Sequence, residues 1–286
     1  MGHEPLDING GETMSIKLVA KGGLVLLGCG KMGSAMLEGW LSAGLPPNRV
    51  AVIDPMPSAR LEALSGQGLR LNKTLFQNPA GVMLAVKPQM MEAAIPQVAK
   101  AAGDHTVFLS IAAGTPIDWF ERALGKDQIV VRAMPNTPTA IGQGITAIVG
   151  NAATGEDELA LAETLLAAIG RVVRLEDEAQ MDAVTGLSGS GPAYVFHLIE
   201  AMAAAGEAEG LAPDLAMELA TATVAGAGAL ALQADETPER LRRNVTSPNG
   251  TTQAGLEVLM AEPDGLGQLM RRTVAAAAAR SRELGG

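Results

Sequence analysis

The chain has 286 residues, of which 48% are hydrophobic and only 2% aromatic, and its formal net charge is −10. That length allows one large domain or two smaller ones, with a core built from aliphatic side chains. The acidic total argues against nucleic acid or an anionic membrane as a partner, and so few rings leave no base-stacking platform.

Residues 1–20 contain no apolar run long enough for a signal peptide and read as a disordered lead, with Met14 a candidate natural start. No stretch reaches the ~18 apolar residues of a membrane span. Cys29 is the single cysteine, so an internal disulfide is excluded, and this usage suits a reducing compartment. The expectation is a soluble cytoplasmic protein with no nucleic-acid or membrane partner.

Residues 22–54 read as a βαβ unit. GGLVLLG is a strand, KMGSAMLEGWLSAG is a helix with Met32, Met36, Leu37, Trp40 and Leu41 on one side, and RVAVID is a second strand. Strand patterns recur at 81–88, 105–114, 128–136 and 144–150, with helices expected after Pro88 and near PIDWFERAL. Continuous aliphatic strands alternating with helices imply a mostly parallel sheet covered on both faces. After about residue 178 strand signals vanish, and helical patterns occupy 192–208, 213–233, 238–244 and 253–282. The second of these is rich in Ala, Gly and Thr, and reads as a buried helix packed closely on others, across a subunit boundary or within the chain. The fold class is therefore an α/β Rossmann domain followed by an all-α domain.

Gly28, Gly30 and Gly33 form G-x-G-x-x-G between a strand and a helix, and Asp54 ends the next strand. Gly28 permits the tight turn, Gly30 lets backbone approach a pyrophosphate, and Gly33 allows close helix–strand packing. The helix start, with Lys31 and Met32, offers free N–H groups and the positive dipole end to phosphates. Asp54 suits a ribose 2′-OH and so NADH, whereas Arg60 suits the 2′-phosphate of NADPH; the two cofactors stay open.

GLSGSGPAY (186–194) sets Ser188, Gly189, Ser190 and Gly191 against a helix whose first turn holds Pro192. The run is either an anion site for a carboxylate or an ordinary serine cap. VTSPNGTT (245–252) carries a turn signal at Pro248-Asn249-Gly250 before Thr251 and Thr252 open a helix, where one threonine could simply be the cap.

From about residue 22 onward the chain resembles pyrroline-5-carboxylate reductase. The resemblance rests on GCGKMG (28–33), AVKP (85–88), SIAAG (110–114), MPNTP (134–138), GLSGSGPAY (186–194) and VTSPNGTT (245–252), in that order and spacing. It implies a dinucleotide-binding domain over 21–178 and a helical substrate and dimerisation domain over 179–286. It also implies a homodimer, often as a pentamer of dimers, and NADPH- or NADH-dependent reduction of a cyclic imino acid to L-proline. Ala85, Val86, Lys87 and Pro88 would border the nicotinamide and its ribose, Ala112 and Ala113 would pack beside the ring, and Asn136 would orient the cofactor amide or a nearby loop. Ser188 to Gly191 would hold the substrate carboxylate, with Ser247 and Gly250 close by and Thr252, beside Thr251, hydrogen-bonding the ring nitrogen. The chain departs from the family in having Lys31 where Asn or a similar residue is usual, and Asn249 where Gly is usual.

A ketone reductase would need a positioned acid. His3, His105 and His197 are the only histidines, no lysine follows Lys126, and His197 reads as a packing histidine without a carboxylate partner. Reduction of an imine that arrives protonated needs no such acid, and no metal-ligand set is expected. The rival readings are a reductase for another imine or a ketone, and a dinucleotide-sensing dimer without turnover.

Overall fold

A computed structural model of the chain describes Val19 and residues 22–285. The lead expected at 1–20 lies outside the described residues, Val19 apart. The aliphatic runs form strands β1 (Leu24–Leu27), β2 (Val50–Ile53), β3 (Arg70–Leu71), β4 (Gly81–Leu84), β5 (Val107–Ser110), β6 (Ile129–Met134), β7 (Gly144–Gly150) and β8 (Gly170–Arg174). They make one sheet in the order β3-β2-β1-β4-β5-β6-β7-β8. Every neighbouring pair is parallel except β6 and β7. Strand order reverses between β1 and β4, and ligands of open α/β sheets bind beyond the strand C-termini at such a point.

The pleat explains why these strands read as unbroken apolar runs. Leu24 and Leu26 enter the core on one face of β1, and Val25 and Leu27 enter the core on the other. Both faces are covered, so neither side of the strand offers a polar residue access to water. On the first face the helix Lys31–Ser42 buries Met36, Leu37 and Trp40, and the Trp40 indole N–H donates to the Leu165 carbonyl at 2.8 Å. Each large apolar side chain so buried contributes about 1.5–3 kcal/mol.

β3 and β8 are not among the expected strands. β3 has two residues, and β8 is an edge strand with Arg171 and Arg174 exposed, so neither shows the apolar run of a covered strand. Arg174 instead pairs with Glu156 and Glu163 across that edge.

The chain divides into two compact units. One runs to Gly189 and includes the residues from Ala278 onward; the other is Ser190–Ala277. Within the first, Ser281 Oγ donates to Asp182 at 2.6 Å and ties the end of the last helix to the segment after β8. The second contains the helices Gly191–Ala208, Pro213–Gln233, Pro238–Asn244 and Thr251–Leu259 and the first part of Leu266–Gly285. The single helix expected over 253–282 is thus two. Pro263 lacks an N–H and clashes with the preceding turn, and a Cβ on Gly265 would stand 2.3 Å from the Ala261 carbonyl.

The helix Pro213–Gln233 bears on two expectations. Within one chain it buries only Ala216 and Ala220, against Ala203 and Ile199, so the burial expected of it is not met inside the chain and is left to a subunit boundary. It is also 21 residues long and apolar enough to meet the length and composition of a membrane span. Alanines supply much of that apolar character, so it is reached without an uninterrupted run of large apolar side chains. Leu219, Leu230 and Leu232 are 48%, 56% and 71% exposed in the single chain. So much apolar surface predicts self-association. Light scattering at micromolar concentration should give at least twice the 29.3 kDa chain mass, and Leu219→Asp should lower it; a stable wild-type monomer would contradict this.

Candidate active site

The turn after β1 has the geometry that its three glycines require. Gly28 has φ of +89°, and a Cβ there would lie 2.8 Å from Val86 Cγ1. A Cβ on Gly33 would lie 2.5 Å from the Gly28 carbonyl oxygen, so helix and turn could not close as they do. A Cβ on Gly30 would meet nothing within 4 Å, because Gly30 faces open space. Gly30 is the N-cap of the helix Lys31–Ser42 and has no side chain to cap it, and Lys31 and Gly30 are exposed. The N–H groups of the first turn therefore face a space with room for a ligand, where an anion gains from the helix dipole.

Asp54, at the end of β2, holds this turn from the side. Its Oδ2 accepts the Cys29 N–H at 2.7 Å and its Oδ1 accepts the Met56 N–H at 2.8 Å. A carboxylate has about four acceptor positions, so others remain for ribose hydroxyls. Asn72 fixes the Asp54 backbone, accepting its N–H at 2.9 Å and donating to its carbonyl at 2.8 Å. Arg60 reaches Glu38 with two hydrogen bonds, at 2.7 and 2.9 Å. Those bonds hold the Glu38 carboxyl below the usual carboxylate range. Burial chiefly, with the Asp54 and Glu38 charges adding, pushes the Cys29 thiol up, partly offset by a hydrogen bond with Ser34.

The remaining cofactor candidates lie along the same rim, just past the C-termini of β4, β5 and β6. Ala85 and Val86 are half-buried behind Gly33 and Gly28, while Lys87 and Pro88 are exposed where the next helix begins. Ala112 is buried, its N–H donating to Ser110 Oγ at 3.2 Å, and Ala113 is exposed. Asn136 Oδ1 accepts the Ile145 N–H at 3.0 Å, and its Nδ2 donates to Ser188 Oγ at 3.4 Å. Thr139 Oγ1 donates to the Asn136 carbonyl at 2.8 Å and lies 3.2 Å from Met32 Sδ. Two cavities of this unit lie away from the rim. One is lined by Trp40, Leu45 and Leu165, the other by Asn78, His105 and Thr106 at the N-terminal ends of β4 and β5.

The glycine-serine run differs from an extended loop. Thr185–Gly189 is a π-helical turn, a form frequent at functional sites, and Ser190 enters the helix Gly191–Ala208 in helical conformation without capping it by its side chain. The serine-cap alternative is thereby removed. Gly189 lies against Met134, whose Cε would be 2.4 Å from a Cβ there and would have to move aside to admit one.

In the second unit, Gly250 is the N-cap of Thr251–Leu259, so neither threonine is the cap. A Cβ on Gly250 would stand 2.6 Å from Ser247 Oγ. Asn249 has φ of 58°, a left-handed conformation that Asn tolerates better than most side chains, and its N–H donates to Gln253 Oε1 at 2.8 Å. Thr251 and Thr252 are exposed, and no hydrogen bond from either hydroxyl to the chain is present among the described residues. His197, expected to lack a carboxylate partner, has Glu200 Oε2 3.0 Å from its Nδ1, because i,i+3 side chains meet on a helix. His197 is exposed and shares no hydrogen bond with Thr251 or Thr252. Sequence reasoning passed over Asn72, Ser34, Thr139 and Glu38; only Asn72, a turn residue just after a strand, carried a local signal. Among the described residues no group of three His, Cys, Asp or Glu is placed to hold a metal ion.

The glycines of the turn should separate by mutation. Gly30→Ala should leave thermal stability unchanged yet lower NADH affinity at least tenfold in a fluorescence titration. Gly33→Ala should cost about 1–3 kcal/mol of stability as well, by overpacking. Equal behaviour of the two variants would refute this division of roles. Cys29, a neutral buried thiol near neutral pH, should react slowly with iodoacetamide, faster as pH rises above the ordinary thiol range, and at full rate only when unfolded.

The chain is similar to known proteins over nearly all of its length. Residues 178–284 match the family described as pyrroline-5-carboxylate reductase dimerisation, and residues 23–114 match that described as NADP oxidoreductase coenzyme F420-dependent. The pyrroline-5-carboxylate reductase of Pseudomonas aeruginosa is 38% identical over 264 residues, covering 91% of this chain and 96% of that one. That of Glycine max is 38% identical over 266 residues, covering 91% and 95%. The structure of the Coxiella burnetii pyrroline-5-carboxylate reductase superposes with a TM-score of 0.85 at 32% identity, over 93% of this chain and 99% of that one. With a segment at each end of the described chain matched, and relatives aligned almost end to end, the chain belongs to the pyrroline-5-carboxylate reductase family.

Proposed function

We infer that the chain reduces 1-pyrroline-5-carboxylate to L-proline with NAD(P)H, the final step of proline biosynthesis. The observation that carries this reading is the coexistence, in one chain of that family, of an open glycine turn at the β1/β4 reversal and a helix start with two unengaged threonine hydroxyls. When bound, the nicotinamide supplies a hydride to the C=N carbon, and the ring nitrogen keeps the proton that makes the imine an iminium.

The roles of individual residues follow from their chemistry. Gly28, its own N–H donating to the Ile53 carbonyl at 2.8 Å, lets the turn close, the backbone N–H groups at Gly30, Lys31, Met32 and Gly33 bind the pyrophosphate, and Asp54 faces the adenosine ribose. Ala85, Val86, Lys87 and Pro88 border the nicotinamide ribose, Ala112 and Ala113 pack beside the ring, and Asn136 braces Ser188 against the start of β7. Ser188, Gly189, Ser190 and Gly191 bind the substrate carboxylate, with Ser247 and Gly250 shaping the neighbouring turn. Thr252, with Thr251 beside it, hydrogen-bonds the ring nitrogen. A neutral hydroxyl suffices, since an iminium accepts hydride without a strong acid, and most of the acceleration comes from orientation.

The same reading assigns residues 21–178 to dinucleotide binding and 179–286 to substrate binding and dimerisation. It takes the assembly to be a homodimer, with a pentamer of dimers as the higher form, in the cytoplasm. The exposed apolar residues of the helical unit support self-association.

The test follows absorbance of NADPH and NADH in parallel with pyrroline-5-carboxylate. Turnover is expected, and protein that binds either cofactor without turnover would overturn the substrate assignment. Thr252→Ala should lower kcat/KM by up to about tenfold, the worth of one neutral hydrogen bond, and unchanged kcat/KM would remove Thr252 from its role. Asn136→Ala should raise KM for the imine more than it lowers kcat.

A further inference from the structure

The connection from β2 to the next helix contains a charge in an unfavourable place. Arg60 is in the first turn of Ala59–Ser65, just past the N-cap Ser58, whose Oγ accepts the Leu61 N–H at 3.3 Å. A helix N-terminus carries partial positive charge, so a cation there is disfavoured unless an anion answers it. Glu62 stands in the same first turn, but the anion that holds the guanidinium is Glu38, on a different helix, which accepts both hydrogen bonds of the fork. The Arg60 and Glu38 side chains are about half exposed, so the pair is open to a competing anion.

The surroundings point to the identity of that anion. Asp54, six residues before Arg60, has its carboxylate anchored by two backbone N–H groups and stays at the ribose end of the rim. A ribose carrying only hydroxyls can use the remaining acceptor positions of Asp54. A 2′-phosphate meets like charge there and requires a cation, and a guanidinium matches a phosphate with two prongs. Other cations on this edge are differently placed: Arg70 lies 3.9 Å over the Phe76 ring, and Lys73 follows Asn72 beyond the end of β3.

We propose that Glu38 is a cofactor-discriminating residue: by holding Arg60 in a forked ion pair it competes with the 2′-phosphate of NADPH, and so keeps the preference between NADPH and NADH narrow. The proposal rests on the reading of the rim as the dinucleotide site. Arg60 is the ligand for the 2′-phosphate, Glu38 is its internal competitor, and neither affects a cofactor that lacks the phosphate.

Calorimetry on the full chain with 2′,5′-ADP and with 5′-AMP tests this without turnover. Exposed ion pairs are weak, so Glu38→Gln should tighten 2′,5′-ADP by about two- to fivefold. Arg60→Gln should weaken 2′,5′-ADP by about tenfold or more, the loss of charge-assisted hydrogen bonds. Both variants should leave 5′-AMP within about twofold, the double variant should behave as Arg60→Gln alone, and Lys73→Ala should change nothing. Unchanged 2′,5′-ADP binding in Glu38→Gln or Arg60→Gln, or a loss in Lys73→Ala, would overturn the proposal while leaving the dinucleotide site intact. Failure of the folded wild-type chain to bind either nucleotide would overturn both.

Discussion

The contact between Gly33 and the Gly28 carbonyl governs the nucleotide half of this protein. No side chain fits at Gly33, because its first carbon would be 2.5 Å from that oxygen. The absence of a Cβ lets the helix Lys31–Ser42 start directly above β1. That placement aims its unpaired N–H groups past Gly30 into open space and buries Met36, Leu37 and Trp40 on the sheet. Asp54 can then reach the Cys29 N–H from the neighbouring strand. A single steric constraint thus sets the open helix start, the packing of the helix and the position of the Asp54 carboxylate beside the turn.

Much of this is legible in the residues because the cause is local. A strand buried on both faces reads as apolar at every position, and a turn this tight must be glycine. What escapes reading depends on contacts across sequence. Glu38 and Arg60 are 22 residues apart, and Asp54 and Cys29 are 25 apart, with nothing in either neighbourhood to announce the pairing. The glycine-serine run at 186–191 has the composition of a loop. It is instead a π turn over Thr185–Gly189 that runs through Ser190, in helical conformation, into the next helix. The break at Pro263 and the pair His197–Glu200 are visible in principle, as a helix-breaking residue and an i,i+3 spacing.

The helical unit shows a different limit. Periodicity identifies an apolar face but not what covers it. The helix Pro213–Gln233 has the composition of a buried helix, yet most of it is exposed in one chain, and by hydropathy alone it also has the length of a membrane span. Its small residues would let another helix approach closely, and the segment that contains it matches the dimerisation region of the reductase family. Self-association, which that match implies, accounts for the surplus apolar surface, most of which lies in the helical unit rather than on the Rossmann unit with its two aliphatic cores.

The departure at Asn249 bears on the chemistry. The turn before Thr251 needs a left-handed residue, and glycine is its ordinary occupant. Asn is among the few side chains that enter that conformation at small cost, so the backbone path survives the exchange. The path matters because it leaves Gly250, not a threonine, as the N-cap. Had a threonine capped the helix, its hydroxyl would be engaged with backbone N–H groups. As it stands, Thr251 and Thr252 retain their hydroxyls at the positive end of the helix dipole. A positive helix end is a poor place to protonate a nitrogen, but an iminium needs only a neutral oxygen to orient it. The local field gives no help in protonating the ring nitrogen, and with no lysine after Lys126 this half of the chain offers no ammonium acid, so the chemistry that fits is hydride addition to an imine protonated before it binds.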